Sequence, residues 1–225
     1  VSNANDAPTV TSTAITSATE DSVYTYTLTA SDADVGDTLT MAGTTVPSWL
    51  TFTASTGVLT GTPTNDNVGT TGNAVVLTIT DAAGESVTDS FTITVANTND
   101  APSFSSSPVL TAQEDDVYTY TAVGTDMDAG DTFTLGSSSV PSWLTFTAST
   151  GVLTGTPTNS DVGGHSVTLT VTDAAGATGT QTFTITVSNA NDAPTVTSTA
   201  ITSATEDSVY TYTLTASDAD VGDTL

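Results

Sequence analysis

Residues 1–39 of this 225-residue chain recur without a single change as residues 187–225. An exact copy at an offset of 186 residues cannot be accommodated by one irregular core. It demands a modular chain in which equal segments fold into equal units, so internal repetition is examined before any fold is considered. A finer period lies inside the long one. The tag "NDAP" begins at Asn5, Asn99 and Asn191, and the landmarks between tags keep register: Glu20 with Glu114, Asp32 with Asp126, Trp49 with Trp143, Asp81 with Asp173. The two copies differ in length at one place, where "NVGTTGNAVVLTITD" in the first becomes "DVGGHSVTLTVTD" in the second, which reads as a loop before a strand. The expected organisation is repeat 1 over residues 1–98, repeat 2 over 99–190, and the opening strands of a third over 191–225. The chain reads as a window onto a longer array built from a two-repeat cassette.

Each repeat is expected to be all-β. "VYTYTLTA" at 23–30, "AVVLTIT" at 74–80 and "SFTITVA" at 90–96 alternate apolar or aromatic residues with Thr, the period-two pattern of half-buried strands. Turn signals separate them at short spacing: "DADVGD", "ASTGV", "GTPTNDNVG" and "DAAGE". No segment carries helical periodicity. About seven short strands in about 93 residues predict a Greek-key β-sandwich of immunoglobulin or cadherin type, with the one Trp of each repeat in its core.

Charge sets the chemistry. The chain has 25 acidic residues, no Lys and no Arg, for a formal net charge of −25. No carboxylate can be balanced by a Lys or Arg partner, so each is solvated, hydrogen-bonded, protonated or bound to an external cation. The same composition removes the basic footprint needed for nucleic acid or an anionic membrane surface. There is no Cys, hence no disulfide, thiolate metal site or thiol nucleophile. No apolar run of about 18 residues is present, so no membrane insertion is expected, and the first residues lack the basic and apolar segments of an export signal.

Following the chain up and down a sandwich places the acids at its poles. The turn with Glu20 and Asp21 and the loop with Asp66 fall at the far pole. The "DxD" loop and the hairpin turn with Asp81 fall at the near pole. Between repeats 1 and 2 the groups expected to converge are Glu20, Asp21, Asp66, Asn99, Asp100, Asp126, Asp128 and Asp173. The repeat carries the same pattern to Glu114, Asp161, Asn191, Asp192, Asp218 and Asp220, and back to Asn5, Asp6, Asp32, Asp34 and Asp81. Ca²⁺ takes six to eight oxygen ligands in flexible geometry, whereas Mg²⁺ dehydrates reluctantly and prefers an octahedron, so calcium is the expected counter-ion. Asp37, Asp131 and the hairpin aspartates read equally well as turn formers that bond their own backbone, and Asp21 and Asp116 as solvated turn residues.

An enzyme is not expected. His165 is the only histidine, and its counterpart in repeat 1 is Asn73. Paired carboxylates could serve glycoside hydrolysis, but here they recur with the repeat at domain poles and imply no cleft.

The "NDAP" linkers, the acid before the second strand, the "DxD" loop and above all "VPSWLTFTASTGVLTGTP" at 46–63 and unchanged at 140–157 resemble the cadherin-like repeats of dystroglycan type. These are also described as immunoglobulin-like repeats, and they occur in tandem in large bacterial surface adhesins of the repeats-in-toxin secretion type. The resemblance implies calcium at the junctions between neighbouring repeats, with Glu20 or Glu114, Asn99 with Asp100 or Asn191 with Asp192, and Asp126 with Asp128 or Asp218 with Asp220 as ligands. It implies a stiff rod at the cell surface serving adhesion or biofilm formation. The linker is shorter than in cadherins and the mid-domain acidic motif is missing, which leaves open one ion or three per junction. Two other functions are consistent with the residues: a module binding polysaccharide or another surface, and a filament subunit that exchanges strands. Lateral association of chains is left open as well.

Overall fold

The computed structural model describes residues 4–224; the outer ends of the first and third expected repeats lie outside these. The chain forms two compact units. One holds the residues up to Asp100 together with Met127–Gly130, and the other holds Ala101–Asp126 and the residues from Asp131 onward. Among the described residues the only helical turns are two single 3-10 turns, at Asn65–Asn67 and Asn159–Asp161. Among the described residues no helix is long and apolar enough to cross a membrane.

In the first unit the strands are β1 (Thr9–Val10), β2 (Ser17–Thr19), β3 (Tyr24–Thr27), β4 (Ala30–Ser31), β5 (Thr40–Thr45), β6 (Leu50–Thr53), β7 (Val58–Gly61), β8 (Ala74–Thr80), β9 (Ser86–Thr92) and β10 (Thr94–Ala96). One sheet has the order β3-β7-β6, and the other β5-β8-β9. The first strand of the sandwich is split between them: β1 pairs antiparallel with β4, and β2 runs parallel to β10. Counting β1 with β2, β3 with β4 and β9 with β10 gives seven strands, as the turn spacing implied.

The core follows from the alternation. In β3 both Tyr24 and Tyr26 point inward while their Thr neighbours face water, and β8 buries Val75, Leu77 and Ile79 on one side. These meet Leu28, Leu50, Leu59, Ile93 and Val95. Aromatic rings cross edge to face, Tyr24 with Trp49 at 5.8 Å and Tyr26 with Phe91 at 5.4 Å between centroids. Trp49 does pack against this core, from its margin. Tyr26 also ties the two sheets together, its hydroxyl bonding Asp89 Oδ2 at 2.6 Å and Ser12 Oγ at 2.7 Å.

The second unit repeats the plan with β11 (Ser103–Phe104), β12 (Thr111–Gln113), β13 (Tyr118–Thr121), β14 (Gly124–Thr125), β15 (Phe133–Ser139), β16 (Leu144–Thr147), β17 (Val152–Gly155), β18 (Gly163–Asp173) and β19 (Thr178–Ser188). Its sheets are β13-β17-β16 and β12-β19-β18-β15. It also contains β20 (Thr195–Val196) and β21 (Ala216–Ser217), which pair antiparallel as β1 and β4 do.

The two-residue difference falls where the sequence placed it, but only one copy is a loop. In the first unit the chain bends before β8, Ile93 N–H turns to the carbonyl of Asn73, and the last strand breaks between β9 and β10. In the second the shorter segment joins the strand, and β18 pairs with β19 continuously from Gly163↔Val187 to Thr172↔Thr178.

Candidate metal centres

The far turn of the first unit begins the site. Glu20 N–H extends the β2–β10 ladder to the carbonyl of Ala96, and Asp21 N–H bonds the carbonyl of Pro63. Asp21 takes the left-handed conformation at φ 58°, matched by Asp115 at 61° and Asp207 at 60°, a region aspartate tolerates better than most residues. That turn aims Glu20 inward, where it is 2% exposed. Its Oε2 accepts from Thr98 N–H at 3.1 Å.

The linker and the "DxD" loop that follows it then bring one carboxylate each. Asp100 N–H donates to Asp128 Oδ2 at 2.8 Å, and Asn65 Nδ2 donates to Asp100 Oδ2 at 2.9 Å and Asp128 Oδ1 at 3.4 Å. Glu20, Asp100 and Asp128 each offer an oxygen within 4.8 Å of the others. The linker bond recurs wherever the linker does: Asp6 N–H to Asp34 Oδ2 at 2.8 Å, and Asp192 N–H to Asp220 Oδ2 at 2.7 Å. In the second unit Asn159 plays the part of Asn65, bonding Asp192 and Asp220 at 3.0 and 3.4 Å, while Ala190 N–H reaches Glu114 Oε2 at 3.4 Å.

A second kind of triad sits around the "DxDxGD" loop: Asp32, Asp37 and Asp81 in the first unit, Asp126, Asp131 and Asp173 in the second. Asp81 is anchored through both oxygens, Oδ1 accepting from Gly84 and Glu85 N–H at 2.6 and 2.8 Å and Oδ2 from Asn5 Nδ2 at 2.9 Å. The Asn5 amide, followed by these backbone N–H groups, holds its carboxyl below the usual range. Asp32 Oδ1 takes Asp34 N–H at 2.9 Å, while its Oδ2 is buried with no hydrogen-bond partner. The last loop groups Asp218, Asp220 and Asp223, where the Asp192 N–H lowers the pKa of Asp220, helped by Asn189 and Asn159.

These sets fit a hard cation. Oxygens on one Ca²⁺ lie about 2.3–2.6 Å from it and therefore up to about 5 Å from each other, and the oxygens of each triad, all within 4.8 Å of one another, are close enough to share an ion. Two like charges at 4 Å repel by about 1 kcal/mol in water and about 4 kcal/mol at the effective dielectric near a protein surface, and a triad of ionised carboxylates holds three like-charged pairs. With no Lys or Arg in the chain, relief comes from solvent, protons or a cation.

The expected acids are thus sorted into separate groups. Glu20, Asp100 and Asp128 come together, as do Asp126 with Asp173 and Asp32 with Asp81. Asp66 is exposed and belongs to none of these triads. Asp161 caps its own 3-10 turn, accepting Thr158 N–H at 2.9 Å and the Thr158 hydroxyl at 2.8 Å, contacts that lower its pKa. By register its counterpart is Asn67 and that of Asp66 is Ser160, so the two are not one repeated feature. Asn99 and Asn191 bond the carbonyls of Asp100 and Asp192. Sequence reasoning missed Asn65 and Asn159, which the unchanged string "GTPTN" at 61–65 and 155–159 could have flagged. It gave Asp37 and Asp131 equal weight as turn formers and as ligands; both lie within the acidic groups, and Asp37 N–H also closes a turn on the Asp34 carbonyl.

The profile of the family described as "Putative Ig domain" matches residues 7–96 and again residues 101–188. A "Serine-rich adhesin for platelets" from Staphylococcus aureus is 33% identical over 155 residues, 66% of this chain and 6% of the adhesin. The chain therefore spans only a small part of that relative. Among solved structures, the protocadherin gammaB4 extracellular domain is similar at a TM-score of 0.55 and 20% identity, covering 96% of this chain and 40% of that one. Human protocadherin-24 EC1-2 is similar at 0.52 and 17% identity, over 83% of this chain and 100% of that one. Both likenesses concern the fold.

Proposed function

The chain belongs to the family described as "Putative Ig domain", and from that premise we propose that its tandem domains are calcium-stabilised spacers in the stalk of a bacterial cell-surface adhesin. The observation that carries the reading is the triad of Glu20, Asp100 and Asp128, partly or fully buried and held by the linker in a chain with no Lys or Arg. The similarity to an adhesin supports the cellular setting. A spacer needs stiffness and reach, not a ligand cleft, and two near-equal repeats suit that demand. The role is structural and non-enzymatic, and it places the chain outside the cell.

In this reading Glu20, Asp100 and Asp128 hold one ion at the end of the first unit. Glu114, Asp192 and Asp220 provide the corresponding acids in the second. The near-pole sets Asp32, Asp37, Asp81 and Asp126, Asp131, Asp173 hold others. Bound calcium neutralises like charges and ties the linker to the domain, so that ion binding and domain order are linked.

The test is thermal unfolding and small-angle X-ray scattering in EDTA, in CaCl₂ and in MgCl₂ at constant ionic strength. Calcium is expected to raise Tm and lengthen the maximum dimension, and magnesium to do much less. The double variant Asp100→Asn with Asp128→Asn is expected to lose most of the calcium affinity of the first set. If it responds to calcium as the parent does, these residues are not the ligands. If the parent chain itself ignores calcium, the carboxylates are a solubilising coat.

A further inference from the structure

In each unit an entering strand and the leaving strand run in the same direction. β2 leads into the turn at Glu20 and Asp21, from which β3 returns, and β10 runs parallel to β2 with Ser17, Ala18 and Thr19 opposite Thr94, Val95 and Ala96. The second unit repeats this, with Thr111, Ala112 and Gln113 of β12 opposite Thr186, Val187 and Ser188 of β19. Backbone bonds continue each ladder past the strands. Thr94 N–H reaches the Thr16 carbonyl and Glu20 N–H that of Ala96, both at 2.9 Å; Thr186 N–H reaches Leu110 and Glu114 N–H reaches Ser188 at 2.9 and 3.0 Å. The buried glutamate then adds a latch where the chain leaves. Glu20 Oε2 accepts Thr98 N–H at 3.1 Å and the Glu20 carbonyl accepts the Thr98 hydroxyl at 3.2 Å, while Glu114 Oε2 accepts Ala190 N–H at 3.4 Å.

Strand direction decides how these bonds meet tension. The chain enters the first unit at the end where Asp6 N–H is bonded to Asp34, and leaves it at the opposite end, where Thr98 is bonded to Glu20. A pull along the chain drags β10 outward at one end and the strand formed by β1 and β2 outward at the other, so that parallel neighbours are forced to slide past each other. Every cross-strand bond is then strained at once. β10 cannot simply peel away, because Val95 and Gly69 hold its other edge, each N–H on the other's carbonyl at 2.9 Å, and β1 is held on the second sheet through β4. An antiparallel hairpin pulled at its open end, such as β8 and β9 at Ala74 and Thr92, gives up its bonds one pair at a time.

We propose that each unit is a shear clamp that keeps the chain folded under tension, formed by the parallel pairs β2–β10 and β12–β19 and locked by Glu20 and Glu114. As a function this rests on the stalk reading, because a tethered stalk is what is pulled. As a property it rests on strand direction and needs no cation, so loss of the clamp would leave any effect of calcium on Tm untouched and the two readings fail separately.

The chain has no Cys, so an introduced pair gives unique handles for optical tweezers. One pair, Ala4→Cys with Asn97→Cys, pulls the first unit along the chain; the other, Ala74→Cys with Thr92→Cys, pulls the same unit across β8 and β9, and all four positions are exposed. Unfolding rates at constant force are compared in EDTA and again in CaCl₂, since forced unfolding is governed by the unfolding rate. At the same force the unit is expected to unfold at least about tenfold more slowly along the chain than across the hairpin, because several hydrogen bonds must break together. Glu20→Ala is expected to speed unfolding along the chain about tenfold and to leave the rate across the hairpin nearly as it was, whereas Glu20→Gln, which keeps an oxygen acceptor, restores the slow rate. Thr98→Pro removes the donor from the exposed linker and is expected to act as Glu20→Ala does, which keeps the latch testable should the glutamate variant not fold. Equal rates in the two directions overturn the clamp, as does a difference that appears only with calcium. If Glu20→Ala or Thr98→Pro raises both rates alike, the glutamate is a general stabiliser and its part as a latch is overturned.

Discussion

Two tryptophans at equivalent positions show how much one neighbour decides. Trp49 Nε1 donates to Asn73 Oδ1 at 2.9 Å, and the same buried Asn73 uses its Nδ2 on the carbonyls of Asn67 and Gly69 at 2.8 and 3.2 Å. His165 stands in its place in the second unit and keeps one of these tasks, its Nε2 lying 2.6 Å from the carbonyl of Asp161, the counterpart of Asn67. The bond to the indole is lost. Trp143 Nε1 is buried without a hydrogen-bond partner, and the indole meets the imidazole edge to face at 5.8 Å. An orphaned buried donor costs about 1–3 kcal/mol. Asn73→Ala is therefore expected to destabilise the first unit by about 2–3 kcal/mol, and His165→Asn to stabilise the second by about 1 kcal/mol. Each unit has one Trp, so urea unfolding followed by fluorescence in single-Trp variants reads the units separately. No loss on Asn73→Ala would mean that the indole bond is idle.

At the scale of the strand, one close approach governs the β6–β7 pair. A Cβ on Gly61 would lie 2.0 Å from the Trp49 carbonyl oxygen, and one on Gly155 would lie 2.0 Å from that of Trp143. The glycine of "GTP" is thus required by backbone contact in both units. Gly61→Ala is expected to cost about 2–3 kcal/mol through forced displacement of the Trp49 segment, a loss visible in the midpoint of the same unfolding curves. Strands β3 and β13 set a second limit through their tyrosines. Burial pushes Tyr24, Tyr26 and Tyr118 up to about 12, with Tyr26 and Asp89 adding to the shift at Tyr24 and the Asp89 contact at Tyr26. The folded values exceed the unfolded value of about 10, so the contribution of these groups is full below pH 10 and is lost as pH rises from 10 towards 12. Phenolate absorbance is expected to show these three of the six tyrosines ionising late, together with loss of strand signal. Ordinary titration of all six would contradict the buried placement of β3 and β13.

The molecule as a whole is governed by its one-sided charge. A net charge of −25 with no Lys or Arg makes self-repulsion unavoidable in low salt. Monovalent salt is expected to raise Tm modestly by screening, whereas calcium at equal ionic strength is expected to add site-specific stabilisation, about 2.7 kcal/mol for each site at a hundredfold excess over Kd. Titration calorimetry checks the difference; equal effects of sodium and calcium would leave only screening. Acid acts against carboxylates that are hydrogen-bonded in the fold. Asp161, outside the triads and held below the usual carboxylate range by Thr158, contributes stability above the unfolded value of about 4, lost as pH falls through its lower folded value.

Repetition, strand alternation and the absence of Lys and Arg were all written along the chain, and they determined the tandem β-sandwich plan and that no side-chain cation of Lys or Arg balances the carboxylates. β8 begins and ends where "AVVLTIT" does, because period-two burial is a local property. The grouping of the acids was not local. Asp100 meets Asp128 and Asn65 because the linker, the "DxD" loop and the 3-10 turn converge after folding, and no sequence spacing records that convergence. Asp66 and Asp161 stand one position apart in register after "GTPTN", and only the fold shows that one is exposed and the other is spent on its own turn. The split of the last strand into β9 and β10 likewise depends on where Asn73 enters the core. Patterns between near neighbours survive in the sequence because backbone geometry repeats. Which distant side chains share a site is decided only when the sheets pack.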